Sequence, residues 1–139
     1  MKNQEKYDNL SKLVEKLKKS EDPKRKYEYI LWLGKKLKEP NSNILVKDNK
    51  VKGCVSEVFV KATIKAGKLI WEGYSDALIT KGLLALLIAG LNELTPNEVI
   101  KIDKKFIEDT GLKASLTPSR SNGFLNILLK MQSQANNFL

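Results

Sequence analysis

The sequence predicts an α+β domain, a small antiparallel β-sheet of two or three strands with several α-helices packed mainly on one face. Three observations lead there. Apolar residues recur at helical spacing up to Leu37, alternate strictly from Val58, and return to helical spacing after Asp76. An Ala66-Gly67 pair divides the alternating stretch, as a hairpin turn would. Ala77 to Leu91 is apolar nearly all round, which suits the buried centre of such a domain. The 139 residues can bury a substantial core but are few for two domains, so residues 1–139 read as one unit.

Each element has its own signal. Over residues 4–19, Leu10, Leu13, Val14 and Leu17 share one helical face, with charges on the other. This helix within residues 1–20 is the part of the chain that can be loosely attached. Ser20 to Asp22 breaks it, and Asp22 followed by Pro23 is a cap and first-turn signal for a second helix. Tyr27, Ile30, Leu31, Gly34 and Leu37 line that helix's inner stripe, and Pro40 ends it. Residues 41–50 read as loop around the apolar piece Ile44 to Val46.

Val58, Val60, Ala62 and Ile64 alternate with Glu57, Phe59, Lys61 and Thr63 as the first strand. Lys68 to Trp71 returns as the second, with Gly73 closing the hairpin. Ser75 or Asp76 then caps the central helix, about Ala77 to Leu91. Thr95-Pro96-Asn97-Glu98 is a capping box with proline at the first helical position, opening a short helix through Ile100. Asp103 to Asp109 adds a turn or two, stopped by Gly111. Thr117-Pro118 opens the last helix, with Phe124, Ile127, Leu128 and Met131 facing inward. Gly34, Gly82 and Gly90 lie inside helical patterns and allow close packing, and Trp32 and Trp71 read as packing residues.

Composition excludes whole classes of chemistry. The chain has no histidine, so Ser-His and Cys-His catalysis and histidine metal sites are out. Its one cysteine, Cys54, rules out an internal disulfide, a CxxC redox pair and a cysteine-rich metal site. No GxGxxG, Walker A, GxSxG or EF-hand pattern is present. The N-terminal segment has no apolar core of a signal peptide, and the longest apolar run falls short of the ~20 residues of a membrane span. A cytoplasmic protein with no membrane association is expected. The net charge of +9 raises a nucleic-acid reading, but only Arg25 and Arg120 among the 25 basic residues are arginine, the residue suited to base edges and bidentate phosphate contacts. Lysines on solvated helix faces explain the charge more simply, so no nucleic-acid partner is expected. With no coiled-coil seam, the chain is expected to be a monomer.

Three residues could carry chemistry. Cys54 follows Gly53 where the loop enters the first strand, a place from which sulfur can be presented to a partner. A buried structural cysteine is the plainer reading. With no histidine base, a nucleophilic Cys54 would ionise near ~8.5 unless helped by positive charge, which suits thiol exchange and sulfur transfer better than hydrolysis. Arg120 stands at the third position of the last helix, where the helix dipole disfavours a cation. That suggests a compensating anion: a thiolate, a persulfide or a partner's carboxylate, or plainly an ion pair with Asp76. Arg25 occupies a similar position. Asp76 itself reads first as a helix cap.

At these residues the chain resembles the SufE family, sulfur acceptors that work with cysteine desulfurases in iron–sulfur cluster assembly. Val51-Lys52-Gly53-Cys54-Val55-Ser56-Glu57-Val58-Phe59 is similar to the family's Gly-Cys-x-Ser-x-Val-aromatic segment. The blocks from Tyr27 to Leu37, from Ser75 to Leu83 and from Leu116 to Phe124 resemble its second helix, central helix start and C-terminal signature, in the family's order. Val55 departs from the glutamine often found after the cysteine, and Phe59 from the common tryptophan.

The resemblance implies a SufE-like fold and a mechanism. Cys54 would be the persulfide acceptor, taking sulfur from a SufS-like cysteine desulfurase, stimulating its turnover and passing the sulfur to a SufB-like iron–sulfur scaffold. The cysteine would lie at a loop tip, tucked into a partly apolar cavity until the partner docks. Gly53, Ser56, Asp76 and Arg120 would support the site or dock the desulfurase. The chain would need no cofactor of its own, since pyridoxal phosphate belongs to the desulfurase, and it would be a sulfurtransferase-type accessory rather than a stand-alone enzyme. Two other readings stay open: a basic nucleic-acid- or protein-binding module with a purely structural Cys54, and a redox-sensing thiol without a dedicated donor.

Overall fold

A computed structural model describes residues 8–139. The described chain forms α1 (Asp8–Lys19), α2 (Pro23–Lys36), β1 (Val58–Lys65), β2 (Lys68–Ser75), α3 (Leu78–Leu91), α4 (Pro96–Ile100), α5 (Lys105–Asp109) and α6 (Pro118–Asn136), with short 3-10 turns at Ser42–Ile44, Lys47–Asn49 and Leu112–Ser115. This is the expected α+β arrangement. Residues 4–7 of the first expected helix lie outside the described residues.

The apolar face of α1 buries Leu10, Val14 and Leu17, and Gly90 of α3 gives Leu10 room: a Cβ there would stand 2.7 Å from Leu10 Cδ1. Asp22 caps α2 as expected, its carboxylate accepting from the Lys24 amide at 3.0 Å. The expected inner stripe of α2 holds except at Tyr27, with Leu31 and Leu37 partly buried against the core. Ile30 and Gly34 are buried, whereas Tyr27 is 37% exposed. Lys26 takes the inward place instead, donating to the Thr110 carbonyl at 3.3 Å. The helix ends at Lys36, with Leu37 as its cap, before Pro40 is reached.

Glycines allow α2 and α3 to touch through their backbones. A Cβ on Gly34 would stand 2.9 Å from both the Gly82 nitrogen and the Leu78 carbonyl oxygen, and one on Gly82 would run into the Ile30 carbonyl. α3 buries residues on nearly every side, as its apolar sequence requires.

The hairpin turns at Ala66 (φ 52°) and Gly67 (φ 79°), two left-handed residues that match the strands' twist. Its register pairs Val58 with Ser75 and Lys65 with Lys68. Val58, Val60 and Ala62 of β1 and Leu69, Trp71, Gly73 and Ser75 of β2 form the inner face, while Ile64 near the turn has passed beyond the core and is exposed. Gly73 does not close the hairpin. It sits inside β2 opposite Val60, because α3 packs there: a Cβ would stand 2.5 Å from Leu84 Cδ2.

Both outer edges of the hairpin are covered. The Gln134 side chain of α6 accepts from the Ala62 amide at 2.7 Å and donates to the Val60 carbonyl at 2.6 Å. On the β2 side the Leu69 amide and carbonyl bond to Leu94 and Glu93, and Asn92 accepts from the Trp71 amide. Such edges would otherwise invite pairing with another chain. The capping box of Thr95 and Glu98 forms as expected, and Phe124, Ile127, Leu128 and Met131 of α6 are buried.

Candidate functional site

Residues 52–56 form a short loop leading into β1. Its base is closed by the Val51 amide donating to the Val58 carbonyl at 2.8 Å, next to a bridge between Lys50 and Phe59. Gly53 takes φ +79°, which favours glycine, and a Cβ there would stand 2.6 Å from Asn126 Nδ2. This turn brings Cys54 back toward α6 while Val55 points outward, 72% exposed.

Cys54 is half-buried. Its thiol makes a long contact with the Gly123 carbonyl at 3.7 Å. A Cβ on Gly123 would be 3.5 Å from the sulfur, so the bare backbone of α6 forms the wall of the thiol's niche. Burial pushes the thiol's pKa above its ordinary value, and the charge of Arg120 pulls the other way.

Arg120 is held from three directions. Its backbone amide donates to the capping hydroxyl of Thr117 at 3.2 Å. Its guanidinium donates to the Ser56 hydroxyl and, at 2.8 Å, to the Thr80 hydroxyl. Those two hydroxyls are buried and 3.3 Å apart. The loop, the first turn of α3 and the first turn of α6 thus meet at one cation. Among the described residues no carboxylate pairs with that guanidinium, so its charge is free to act on Cys54.

The ion pair between Arg120 and Asp76 therefore does not form. Asp76 accepts from the Glu57 amide at 3.0 Å and returns its own amide to the Glu57 carbonyl at 3.2 Å. This locks the exit of the Cys54 loop. Asp76 does not cap α3 either. Ala77 is the cap position and has no side-chain capping bond, while the Ser75 hydroxyl accepts from the Ala77 amide at 3.3 Å. The chain bends at Asp76 and Ala77 between β2 and α3, and the Asp76 carboxylate is taken up by the Glu57 amide instead of the helix's first turn.

Gly53, Cys54, Ser56 and Arg120 are brought together, with Asp76 at the rim. Thr80, Gly123 and Asn126 complete the site and were not singled out from the sequence. A threonine in an otherwise apolar helix is a usable sign of a buried polar partner. A glycine one turn beyond Arg120 is another. Asn126 carries no sequence signal. It donates to the Gly53 carbonyl at 3.1 Å, a contact set by how α6 lies against the loop. Chemically, this is one nucleophilic sulfur in a niche of backbone, with a nearby cation and no adjacent general base. Among the described residues no cluster of acidic and cysteine side chains is placed to hold a metal ion.

Comparison with known proteins bears on the family and the fold. The sequence profile of SufE, described as an Fe-S metabolism associated domain, matches residues 11–135. A SufE-like protein of Synechocystis is 51% identical over 127 residues, covering 91% of this chain and 80% of the relative. A plant protein of Arabidopsis thaliana, "SufE-like protein 1, chloroplastic/mitochondrial", is 40% identical over 91% of this chain, which spans 34% of that longer protein. The "Cysteine desulfuration protein SufE" of Plasmodium falciparum is 33% identical over 84% of this chain and 49% of its own. In solved structures, a hypothetical protein from Thermus thermophilus superposes with a TM-score of 0.80 at 25% identity, over 93% of this chain and 94% of that one. The profile covers nearly the whole described domain, cysteine loop and arginine included, and the chain belongs to the SufE family.

Proposed function

We propose that this chain is a sulfur carrier for iron–sulfur cluster assembly that receives sulfur on Cys54 from a cysteine desulfurase. The observation that carries the reading is the placement of a single half-buried thiol on a loop, against the Gly123 carbonyl and beside an arginine with no carboxylate partner among the described residues. The family description and the relatives named for cysteine desulfuration support it.

The step balances without an outside oxidant. Cys54 loses its proton to solvent, and the thiolate attacks the outer sulfur of the desulfurase persulfide. A sulfur–sulfur bond forms to Cys54 and the one within the desulfurase breaks. The desulfurase cysteine leaves as a thiolate and takes up a proton. Regeneration of that cysteine stimulates the desulfurase. Arg120 offsets negative charge on Cys54 before the attack and on the persulfide after it. Ser56 and Thr80 hold Arg120 in that place, Gly53 shapes the loop, and Asp76 fixes its exit. The persulfide then passes its outer sulfur to a scaffold protein by the same exchange. Pyridoxal chemistry stays with the desulfurase, and this chain needs no cofactor of its own and works as a monomer in the cytoplasm. Among the described residues no helix is long and apolar enough to cross a membrane.

The test is intact mass measured without reductant after mixing with a cysteine desulfurase and L-cysteine. The expected result is a gain of one sulfur on the native chain, removed by a thiol and missing from Cys54→Ser. The same gain on Cys54→Ser, or none on the native chain, would sink the proposal.

A further inference from the structure

We infer that Asn126 is a positioning residue that latches the Cys54 loop and so sets how often the sulfur is presented to a partner. The inference rests on the sulfur-carrier reading for its purpose, but not for its test. In the resting structure Cys54 is half-buried against α6, whereas an attack on a sulfur held by another protein needs the thiol outside that wall. The loop has to move, and its bonding shows how.

Among the described residues, 52–56 make no backbone-to-backbone hydrogen bond to another element; their one local feature is the tight turn at Lys52 and Gly53. Such bonds resume only at Val51, which donates to Val58, and at Glu57, which is paired with Asp76. The two ends are firm, and between them the loop is attached to the rest of the protein by side-chain contacts. Ser56, next to the firm end, is tied to Arg120 and Thr80. At the tip there are two tethers, both to α6: the long thiol contact with Gly123, and the Asn126 amide on the Gly53 carbonyl at 3.1 Å. A thiol is a weak donor, so the first tether is the weaker. Asn126 is the principal hold on the tip. It bonds at the left-handed glycine, where rotation of one residue swings Cys54 out. Its hydrogen bond is exposed to solvent, so breaking it costs little and it can re-form readily. A glycine carbonyl bonded only by a side chain from the neighbouring helix is a latch of moderate strength, strong enough to shelter a persulfide and weak enough for a docking partner to release.

The test is the alkylation rate of Cys54 by iodoacetamide across pH in the native chain, Asn126→Ala and Asn126→Leu, with thermal melting and amide hydrogen exchange alongside. Losing one such hydrogen bond should raise the open population, and with it the alkylation rate, roughly two- to fivefold. The midpoint of the pH profile should fall toward that of an ordinary thiol, since an open loop no longer buries the sulfur. Exchange protection in β1 and α3 should stay as it was. Unchanged rate and midpoint in both variants would overturn the latch. So would a rate increase matched by loss of protection throughout β1 and α3, because that is general loosening. Alkylation needs no desulfurase, so failure here leaves the sulfur-gain experiment untouched, and failure of the sulfur gain leaves the latch standing.

Discussion

Arg120 donates to the Thr80 hydroxyl at 2.8 Å, joining the first turn of the last helix to the first turn of the central one. Thr80 is 3% exposed, so this is the interior anchor of a cation that faces the cysteine loop. Thr80→Val keeps the shape and removes the acceptor. It should destabilise the fold by about 1–3 kcal/mol, because a guanidinium group loses a buried partner. Urea unfolding checks the stability. Sulfur gain by Cys54 should also slow, and a variant as stable and as active as the native chain would contradict the assigned role.

The reactivity of Cys54 should be low at neutral pH and climb with alkali. Its pKa is raised by burial, with Arg120 opposing. Below the midpoint the thiol is protonated, and the rate of alkylation falls about tenfold for each pH unit. The midpoint should lie above that of an exposed cysteine. Removing the opposing charge with Arg120→Ala should move it higher still. Rate profiles from pH ~6 to ~11, a span that brackets the ordinary thiol range, would show this, and a downward move in the variant would contradict the electrostatic account.

Asp76→Ala should loosen the exit of the loop. The variant leaves the Glu57 amide without its 3.0 Å acceptor, at a partly solvated site where water can replace it, so the loss should be about 1 kcal/mol or less. Thermal melting checks that. The larger effect should be faster amide exchange at Glu57.

Gly82→Ala should be among the most damaging single changes in the chain. Its Cβ would run into the Ile30 carbonyl, a backbone atom that cannot turn aside. Overpacking of this kind costs about 1–3 kcal/mol or more, and here it would part α2 from α3. Gly123→Ala is the contrast. Its Cβ would meet the Cys54 sulfur at an ordinary 3.5 Å, so the fold should tolerate it. Denaturant midpoints of the two variants should differ widely.

Gln134→Leu should expose a weakness at the sheet edge. The Ala62 amide and Val60 carbonyl would both lose their partner. A loss of about 2 kcal/mol is expected from two unsatisfied backbone groups, together with a greater tendency to self-associate through the freed edge. Unfolding curves and light scattering would test the two effects separately.

By itself the sequence determined the element order, the hairpin turn at Ala66-Gly67, the caps at Asp22, Thr95 and Thr117, and the apolar central helix. These follow from periodicity and local backbone preference, which act over a few residues. It also pointed to Cys54 and Arg120, because one thiol in a chain without histidine and a cation at a helix start are both visible in one dimension. Only the tertiary structure decided which groups meet. Asp76 looked like a helix cap and a partner for Arg120, yet it bonds Glu57, because the hairpin brings the entry of β1 beside the exit of β2. Tyr27 fitted the apolar stripe of α2, yet it is exposed while its neighbour Lys26 reaches the Thr110 carbonyl, a contact set by where the segment after α5 lies. Thr80, Gly123 and Asn126 joined the site only when α3 and α6 closed around the loop. Contacts between segments far apart in sequence depend on how whole helices are placed, and no local pattern records that placement.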